Sequence, residues 1–288
     1  MCNMEPYVFV LDLDGTIIGD CSYQCDLYNL QDIFKKNIKS FNKSTSISFN
    51  KSKMECEKKL SESYNKDSLL IRPHFTNYMH TIKKYYPNSY IFVYTASEKT
   101  WANKEIGIIE KQNNIKFNRP IFTRDNCIVD KNGIIKKSIK KIMPQLLKTM
   151  KVGKTYDISK KLLIIDNNPT FVDYKDNFLL CPTYNYIQFS NLWDGISGKE
   201  YVKCRELKGF LSKMIIQKRM HNMKQISNQE KQERIYKWLY KKHKSINSYN
   251  CSYANDTFWR DITLLIRHHN IKEYNKTIIG SIQKSIKN

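Results

Sequence analysis

Apolar residues gather in short unbroken runs along the first two-thirds of the chain, and each run ends in polar residues. Val8-Phe9-Val10-Leu11 closes on Asp12-Leu13-Asp14-Gly15-Thr16. Tyr90-Ile91-Phe92-Val93-Tyr94 closes on Thr95-Ala96-Ser97, and Leu162-Leu163-Ile164-Ile165 on Asp166-Asn167-Asn168-Pro169. Runs without alternation suit strands covered on both faces. Phe178-Leu179-Leu180 is a candidate fourth strand. Phe75, Tyr78, Met79, Ile82 and Tyr86 recur at helical spacing after Pro73, a residue suited to a helix start, and 99–112 reads as another helix. Short apolar pieces at 121–123 and 127–129, the turn Asp130-Lys131-Asn132-Gly133 and the answering Ile134-Ile135 predict a hairpin. Strands alternating with helices indicate βαβ units and a mainly parallel central sheet. Ligands bind beyond the C-terminal ends of such strands, where the polar tips lie.

The pattern changes near residue 200. Leu207, Phe210, Leu211, Met214 and Ile215 mark an amphipathic helix. Ile235, Trp238 and Leu239 mark a second, and Phe258, Trp259, Ile262, Leu265 and Ile266 a third. Residues 19–70 are weakly patterned and rich in Lys, Ser and Asn, as an inserted, mobile or partly helical segment would be. The expected organisation is an α/β domain over 1–200 interrupted by the 19–70 insert, followed by a basic helical extension over 201–288.

The chain of 288 residues is long enough to bury a sizeable core. No apolar run approaches the roughly 18 residues of a membrane span, and the N-terminus lacks the regions of a signal peptide. Eight scattered cysteines read as reduced thiols. These features predict a soluble intracellular protein without a membrane partner; nucleus, cytosol and virion are all compatible with them. The formal net charge of +22 has two readings. One is an acidic or nucleic-acid partner. The other is codon bias, because Lys, Asn and Ile crowd the whole chain.

The polar tips bring the chemistry. Asp12 and Asp14 would face opposite sides of a continuing strand, and Gly15 lets the chain turn so that both converge. One carboxylate can attack an electrophile while the other handles protons; together they can hold a divalent cation. Thr95, the pair Lys136-Lys137, and Asp166 with Asn167 lie at or between the other tips. Such a set suits phosphoryl transfer, which is mostly positioning and charge neutralisation.

In these residues the chain resembles the haloacid-dehalogenase-like superfamily. Within it, the chain is similar to the phosphatases acting on the C-terminal domain of RNA polymerase II, also called NLI-interacting-factor-like phosphatases. The resemblance spans about residues 6–185. It is carried by Leu11-Asp12-Leu13-Asp14-Gly15-Thr16, Ile71-Arg72-Pro73, Val93-Tyr94-Thr95-Ala96-Ser97, Arg124-Asp125-Asn126-Cys127 with Gly133 through Lys137, and Ile164-Ile165-Asp166-Asn167-Asn168-Pro169. It implies a three-layer fold with a small hairpin insertion, and phosphate-ester hydrolysis on a phosphorylated protein substrate. Asp12 matches the nucleophile that becomes an aspartyl-phosphate, and Asp14 the general acid and then base. Thr95 would bind a phosphoryl oxygen and Lys137 would neutralise charge, with Lys136 as the other candidate lysine. Mg²⁺ would be held by Asp12, the Asp14 carbonyl and Asn167, with Asp166 alongside. Two departures stand out. Gly15 replaces the Glu common in the polymerase-tail phosphatases, and Ser138-Ile139 replaces the usual Asp-Leu after the lysine.

Two other functions fit parts of the pattern. A related nucleotide or polynucleotide 3′-phosphatase would share the first motif and use the basic charge. A non-catalytic module would bind nucleic acid through the basic tail, stacking its Trp and Tyr on bases. An aromatic stripe at helical spacing is more often core, and intact Asp12, Asp14 and Asn167 favour an enzyme.

Overall fold

Strand β1 (Val8–Leu11) runs through the middle of the sheet and is buried along its whole length. It pairs in parallel with β2 (Tyr90–Val93) on one side and β5 (Leu162–Asp166) on the other; β5 in turn pairs in parallel with β6 (Phe178–Leu180). The order is β2-β1-β5-β6. The computed structural model describes residues 5–37, 69–188, 192–193, 204–217, 225–269 and 271–287. Every side chain of β5 is also buried, which is why the central runs show no polar alternation.

Helices cover both faces. Helix α4 (Ile139–Met150) sets Ile139, Ile142, Leu146 and Met150 into one core cluster with Val8, Val10, Phe92, Leu162 and Ile164. On the other face Phe9 meets Tyr86 and Tyr274 at ring-centroid distances of 6.0 Å each. Helix α2 (Phe75–Tyr85) packs there against α8 (Phe258–His269), with Phe75 and Tyr78 on Trp259 at 5.0 and 4.5 Å. Helix α3 (Lys99–Asn113) buries Ala102, Ile106 and Ile109. This is the three-layer α/β arrangement the strand–helix alternation predicts.

The hairpin forms as β3 (Ile128–Val129) against β4 (Ile135–Lys136). Asp130 closes its turn by accepting from the backbone N–H of Asn132 at 2.8 Å and of Ile134 at 2.9 Å. The predicted strand at 121–123 shrinks to a single bridge between Phe122 and Tyr94. Thr123 leaves the sheet because its N–H donates to Asn126 Oδ1 at 2.9 Å and starts a 3₁₀ turn. β4 leads directly to Lys137. The lysine backbone bridges to the 170–172 segment, with Lys137 N donating to Thr170 O at 3.1 Å and Val172 N to Lys137 O at 3.0 Å.

The chain packs as two compact units, each made of separate stretches. One holds the sheet and comprises Met1–Asp20, Ser61–Asn185 and Ser252–Asn288; the other comprises Cys21–Leu60 and Tyr186–Cys251. The second contains α1 (Cys21–Lys36), α5 (Arg205–Gln217) and α6 (Asn228–Ser248). Within it Tyr23 donates to Leu239 O at 3.0 Å, and Trp193 packs edge-on against Phe34 and Tyr236 at 5.2 and 5.3 Å. In α1 the buried Tyr23, Leu27, Leu30 and Phe34 recur at helical spacing within the segment read as weakly patterned. Residues 38–68 of that segment lie outside the described residues. After α7 (Asn250–Ala254), helices α8 and α9 (Lys276–Lys287) follow. Among the described residues no helix is long and apolar enough to cross a membrane.

One buried ion pair ties the C-terminal stretch to the sheet unit. Arg72 grips Asp256 with two bonds of 2.8 Å each, donates to Pro182 O at 2.8 Å, and lies over the Phe258 ring at 4.5 Å. Its side chain is 0% exposed. Removing the partner of a buried charge leaves it unpaired. Asp256→Ala is therefore expected to lower unfolding stability by about 3 kcal/mol, measured by urea titration at neutral pH. A loss below about 0.5 kcal/mol, the scale of exposed pairs, would contradict this anchoring.

Candidate active site

Asp12 follows directly from β1 and stays in register with β5, its N–H donating to Ile165 O at 2.9 Å. Asp166 ends β5 on the neighbouring strand. Two carboxylates so placed repel unless a cation intervenes. Lys137 is that cation: its Nζ donates to Asp12 Oδ1 at 2.5 Å and to Asp166 Oδ2 at 2.8 Å. Its ammonium also lies 5.8 and 5.7 Å from the ring centres of Tyr94 and Phe171. Burial alone would lower the lysine pKa, but the charges of Asp12 and Asp166 outweigh it and hold the ammonium protonated above the ordinary lysine range. Lys137, not its neighbour Lys136, occupies this position.

The departure at Ser138 has a local explanation. Ser138 caps α4 by accepting from Lys141 N–H at 3.2 Å. Asp173 supplies the carboxylate from a distant loop, accepting from Ser138 Oγ at 2.6 Å and from Ile139 N–H at 2.8 Å. An acid at a helix start is favoured wherever it comes from in sequence. The same contacts pin the residue following Lys137.

Past Asp12 the chain turns sharply. Gly15 has φ +79°, a left-handed conformation, and a Cβ there would stand 2.5 Å from Asn167 Nδ2. A side chain at this position is strained and displaces Asn167. The turn brings the Asp14 carbonyl beside Asp12 while the Asp14 carboxylate accepts from Ser97 Oγ at 2.8 Å. Burial first, then the charge of Asp12, pushes the Asp14 carboxyl up to about 7, against the opposing bond from Ser97. Asp166 is raised by burial to about 6, with Lys137 opposing the rise. Both Asp166 oxygens are engaged, one by Lys137 and the other by Asn168 N–H at 2.7 Å.

Asn167 completes the cluster. A half-turn exchanges its amide nitrogen and oxygen. With Nδ2 turned inward, it donates to the Asp14 carbonyl and to Asp12 Oδ2 at 3.2 Å each. With Oδ1 turned inward, three oxygens converge: Asp12 Oδ2, the Asp14 carbonyl and Asn167 Oδ1. Ligand oxygens around an octahedral Mg²⁺ stand about 3 Å apart, so this second orientation fits a hard divalent cation. Charge agrees, since Asp12, Asp166 and Lys137 leave one negative charge uncompensated before Asp14 is counted. Among the described residues no three His, Cys, Asp or Glu side chains cluster as a metal site. The convergence here is of a carboxylate, a carbonyl and an amide.

Thr95 stands at the tip of β2, its hydroxyl accepting from Ser97 N–H at 3.1 Å. The structure thus brings Asp12, Lys137, Asp166, Asn167 and the Asp14 carbonyl into one cluster. The Asp14 carboxylate and Thr95 meet at Ser97. Two residues without an assigned part in the sequence reading are Ser97 and Thr16. The Thr16 hydroxyl lies 3.3 Å from both Asp12 Oδ2 and Asn167 Oδ1, and accepts from Asn167 N–H at 3.1 Å. Both lie inside the quoted motifs, and their hydroxyls near strand tips were the available signal.

An open parallel sheet whose strand tips gather these carboxylates around a lysine is the arrangement that the resemblance to the haloacid-dehalogenase-like superfamily implies. A sequence model of the NLI interacting factor-like phosphatases matches residues 7–214. The chain belongs to that family and is a phosphoric monoester hydrolase. No curated protein sequence matches it. Among solved structures, one similar chain is a variant of the fission yeast RNA polymerase II CTD phosphatase Fcp1 bound to beryllium fluoride. Identity is 16% and the TM-score 0.36, over 97% of this chain and 70% of that one. A second Fcp1 structure, of an essential RNA polymerase II CTD phosphatase, gives 16% and 0.37 over the same shares. A haloacid-dehalogenase-superfamily hydrolase of Geobacter sulfurreducens gives 10% and 0.31, over 58% of this chain and 82% of that one.

The lysine bridge sets a pH dependence of stability. In Lys137→Met, Asp166 loses the group that opposed its rise. A carboxyl whose pKa is higher folded than unfolded takes up protons on folding, so stability falls as pH rises from about 4 through the folded pKa. Unfolding in metal-free buffer is expected to show a loss of about 3 kcal/mol at pH 8 and a clearly smaller loss at pH 5. Equal losses at the two pH values would exclude a charge-balancing role.

Proposed function

We infer that the protein is a Mg²⁺-dependent phosphatase acting on phosphoserine or phosphothreonine in proteins through an aspartyl-phosphate at Asp12. The observation that supports this most is the split environment of one carboxylate. Asp12 Oδ1 is bound by Lys137, while Oδ2 faces the Asp14 carbonyl and the Asn167 amide. Such a carboxylate is oriented, charge-balanced and open to a cation. The substrate class follows from Arg72-Pro73, Thr95-Ala96-Ser97 and Arg124 with Cys127, the elements shared with the polymerase-tail phosphatases.

In this reading a carboxylate oxygen of Asp12 attacks phosphorus, and the bond to the serine oxygen breaks. The leaving alkoxide takes a proton from Asp14, whose carboxyl is held near neutrality and aimed by Ser97. Asp14, now ionised, takes a proton from water as the water oxygen attacks phosphorus, releasing phosphate and restoring Asp12. Lys137 offsets the charge of Asp12 against the incoming dianion. Thr95 accepts from Ser97 and so has its own O–H to give to a phosphoryl oxygen. Asp12, the Asp14 carbonyl and Asn167 would hold Mg²⁺, with Asp166 alongside, and the ion supplies positive charge at the transferring phosphate.

Asp12→Asn is expected to reduce turnover of p-nitrophenyl phosphate by at least about 10³-fold, because the amide does not attack. Full activity in that variant would exclude the nucleophile.

Asp14→Asn is expected to cost about 10²-fold or more on a phosphoserine peptide. The cost on p-nitrophenyl phosphate should be much smaller, since that leaving group needs no proton. Equal losses on the two substrates would remove Asp14 as the acid. EDTA should stop turnover and Mg²⁺ restore it. In a panel with Mg²⁺ present, the phosphoserine peptide should show the highest kcat/KM; a lead for a 3′-phosphorylated oligonucleotide would favour the polynucleotide phosphatase instead.

A further inference from the structure

The geometry points to helix α8, which lies beyond the residues matched by the family model, as part of the phosphatase site: Trp259 is a positioning residue that holds the catalytic loop through Thr16. The inference rests on Asp12 being the reacting carboxylate.

The loop after β1 is tied internally through Leu13 O, which accepts from the N–H groups of Thr16, Ile17 and Ile18 at 3.3, 2.9 and 3.1 Å, and through Ile18 O, which accepts from Gly15 N–H at 2.7 Å. Three further carbonyls are held from outside the loop. Gly15 O accepts from Tyr184 N–H at 2.8 Å, Ile17 O from Arg72 N–H at 2.9 Å, and Thr16 O from the indole Nε1 of Trp259 at 3.3 Å, the one side-chain donor of the three. Thr16 is fully buried. Its hydroxyl contacts Asp12 Oδ2 and Asn167 Oδ1, so a shift of its backbone moves the nucleophile and the amide together.

Trp259 is built to hold a fixed direction. It is 0% exposed, which excludes base stacking on this residue. Phe75, Tyr78 and Phe258 surround its ring at 5.0, 4.5 and 5.0 Å. The start of α8 is locked by Asp256, which binds Arg72 and accepts from Phe258 N–H at 3.1 Å. A phenylalanine would fill much of this space. What tryptophan adds is the N–H aimed at Thr16.

The test separates that N–H from packing. Trp259→Phe keeps an aromatic ring and removes the donor. It is expected to lower kcat for p-nitrophenyl phosphate about 10-fold, to leave KM within about 2-fold, and to raise the Mg²⁺ concentration for half-maximal activity. Unfolding should remain a single cooperative transition. Thr16→Val removes the hydroxyl contacts, and the double variant should fall no further than Thr16→Val alone, because both act through one residue. Benzothienylalanine at position 259 keeps the ring shape without the N–H and serves if the phenylalanine variant does not fold. Wild-type kcat in a destabilised Trp259→Phe, or losses that multiply in the double variant, would overturn the proposal and make Trp259 a core residue only. Failure of the underlying reading shows separately, as turnover by Asp12→Asn.

Discussion

The bridge from Lys137 to Asp12 and Asp166 is the contact around which the sheet unit is arranged. A parallel sheet sets the tips of adjacent strands side by side, so two acids at neighbouring tips are forced together. Inside protein their repulsion is too large to leave uncompensated. The compensating group cannot come from either strand. It arrives on the far side of a hairpin, with its backbone bonded to Thr170 and Val172, its ammonium beside two aromatic rings, and its successor fixed by Asp173. One ammonium against two carboxylates still leaves negative charge, and the convergence of Asp12, the Asp14 carbonyl and Asn167 suits a cation that would balance it.

The turn after β1 is the second constraint. Gly15 adopts a conformation that disfavours side chains, and it sits too close to Asn167 to accept one. That turn separates the two aspartates by environment. Asp12 is paired with a lysine, whereas Asp14 is half-buried against Ser97 and raised to about 7. Two identical side chains two residues apart thereby acquire different chemistry, one suited to attack and the other to proton transfer.

The C-terminal stretch closes the same unit. Tyr274 N–H donates to Lys160 O at 2.8 Å, and Gln283 accepts from the N–H of Leu180 on edge strand β6 at 3.1 Å. An edge strand with open backbone groups is a site of unwanted pairing, and a covering side chain blunts it. Arg72 and Trp259 extend this closure to the loop that carries Asp12 and Asp14. Helices that look like an appendage in sequence are thus joined to the phosphatase core.

Local sequence determined the strands, most of the helices, the hairpin and the identity of the acidic tips, because burial on both faces and turn chemistry leave marks within a few residues. The motif residues Asp12, Asp14 and Asn167 were legible for the same reason, and Lys137 only together with Lys136. Helices α1, α4, α7 and α9 were not: in α4 the internal Pro144, which lacks an N–H, masks a strong apolar period, and in α1 the period is weak. Tertiary structure alone decided that Lys137 rather than Lys136 meets the acids, that Asp173 caps the following helix, that Ser97 holds Asp14, and that Trp259 reaches Thr16. Each of these is a contact between distant residues. Its energy depends on burial and direction at the meeting point, and neither is encoded in the residues next to it along the chain.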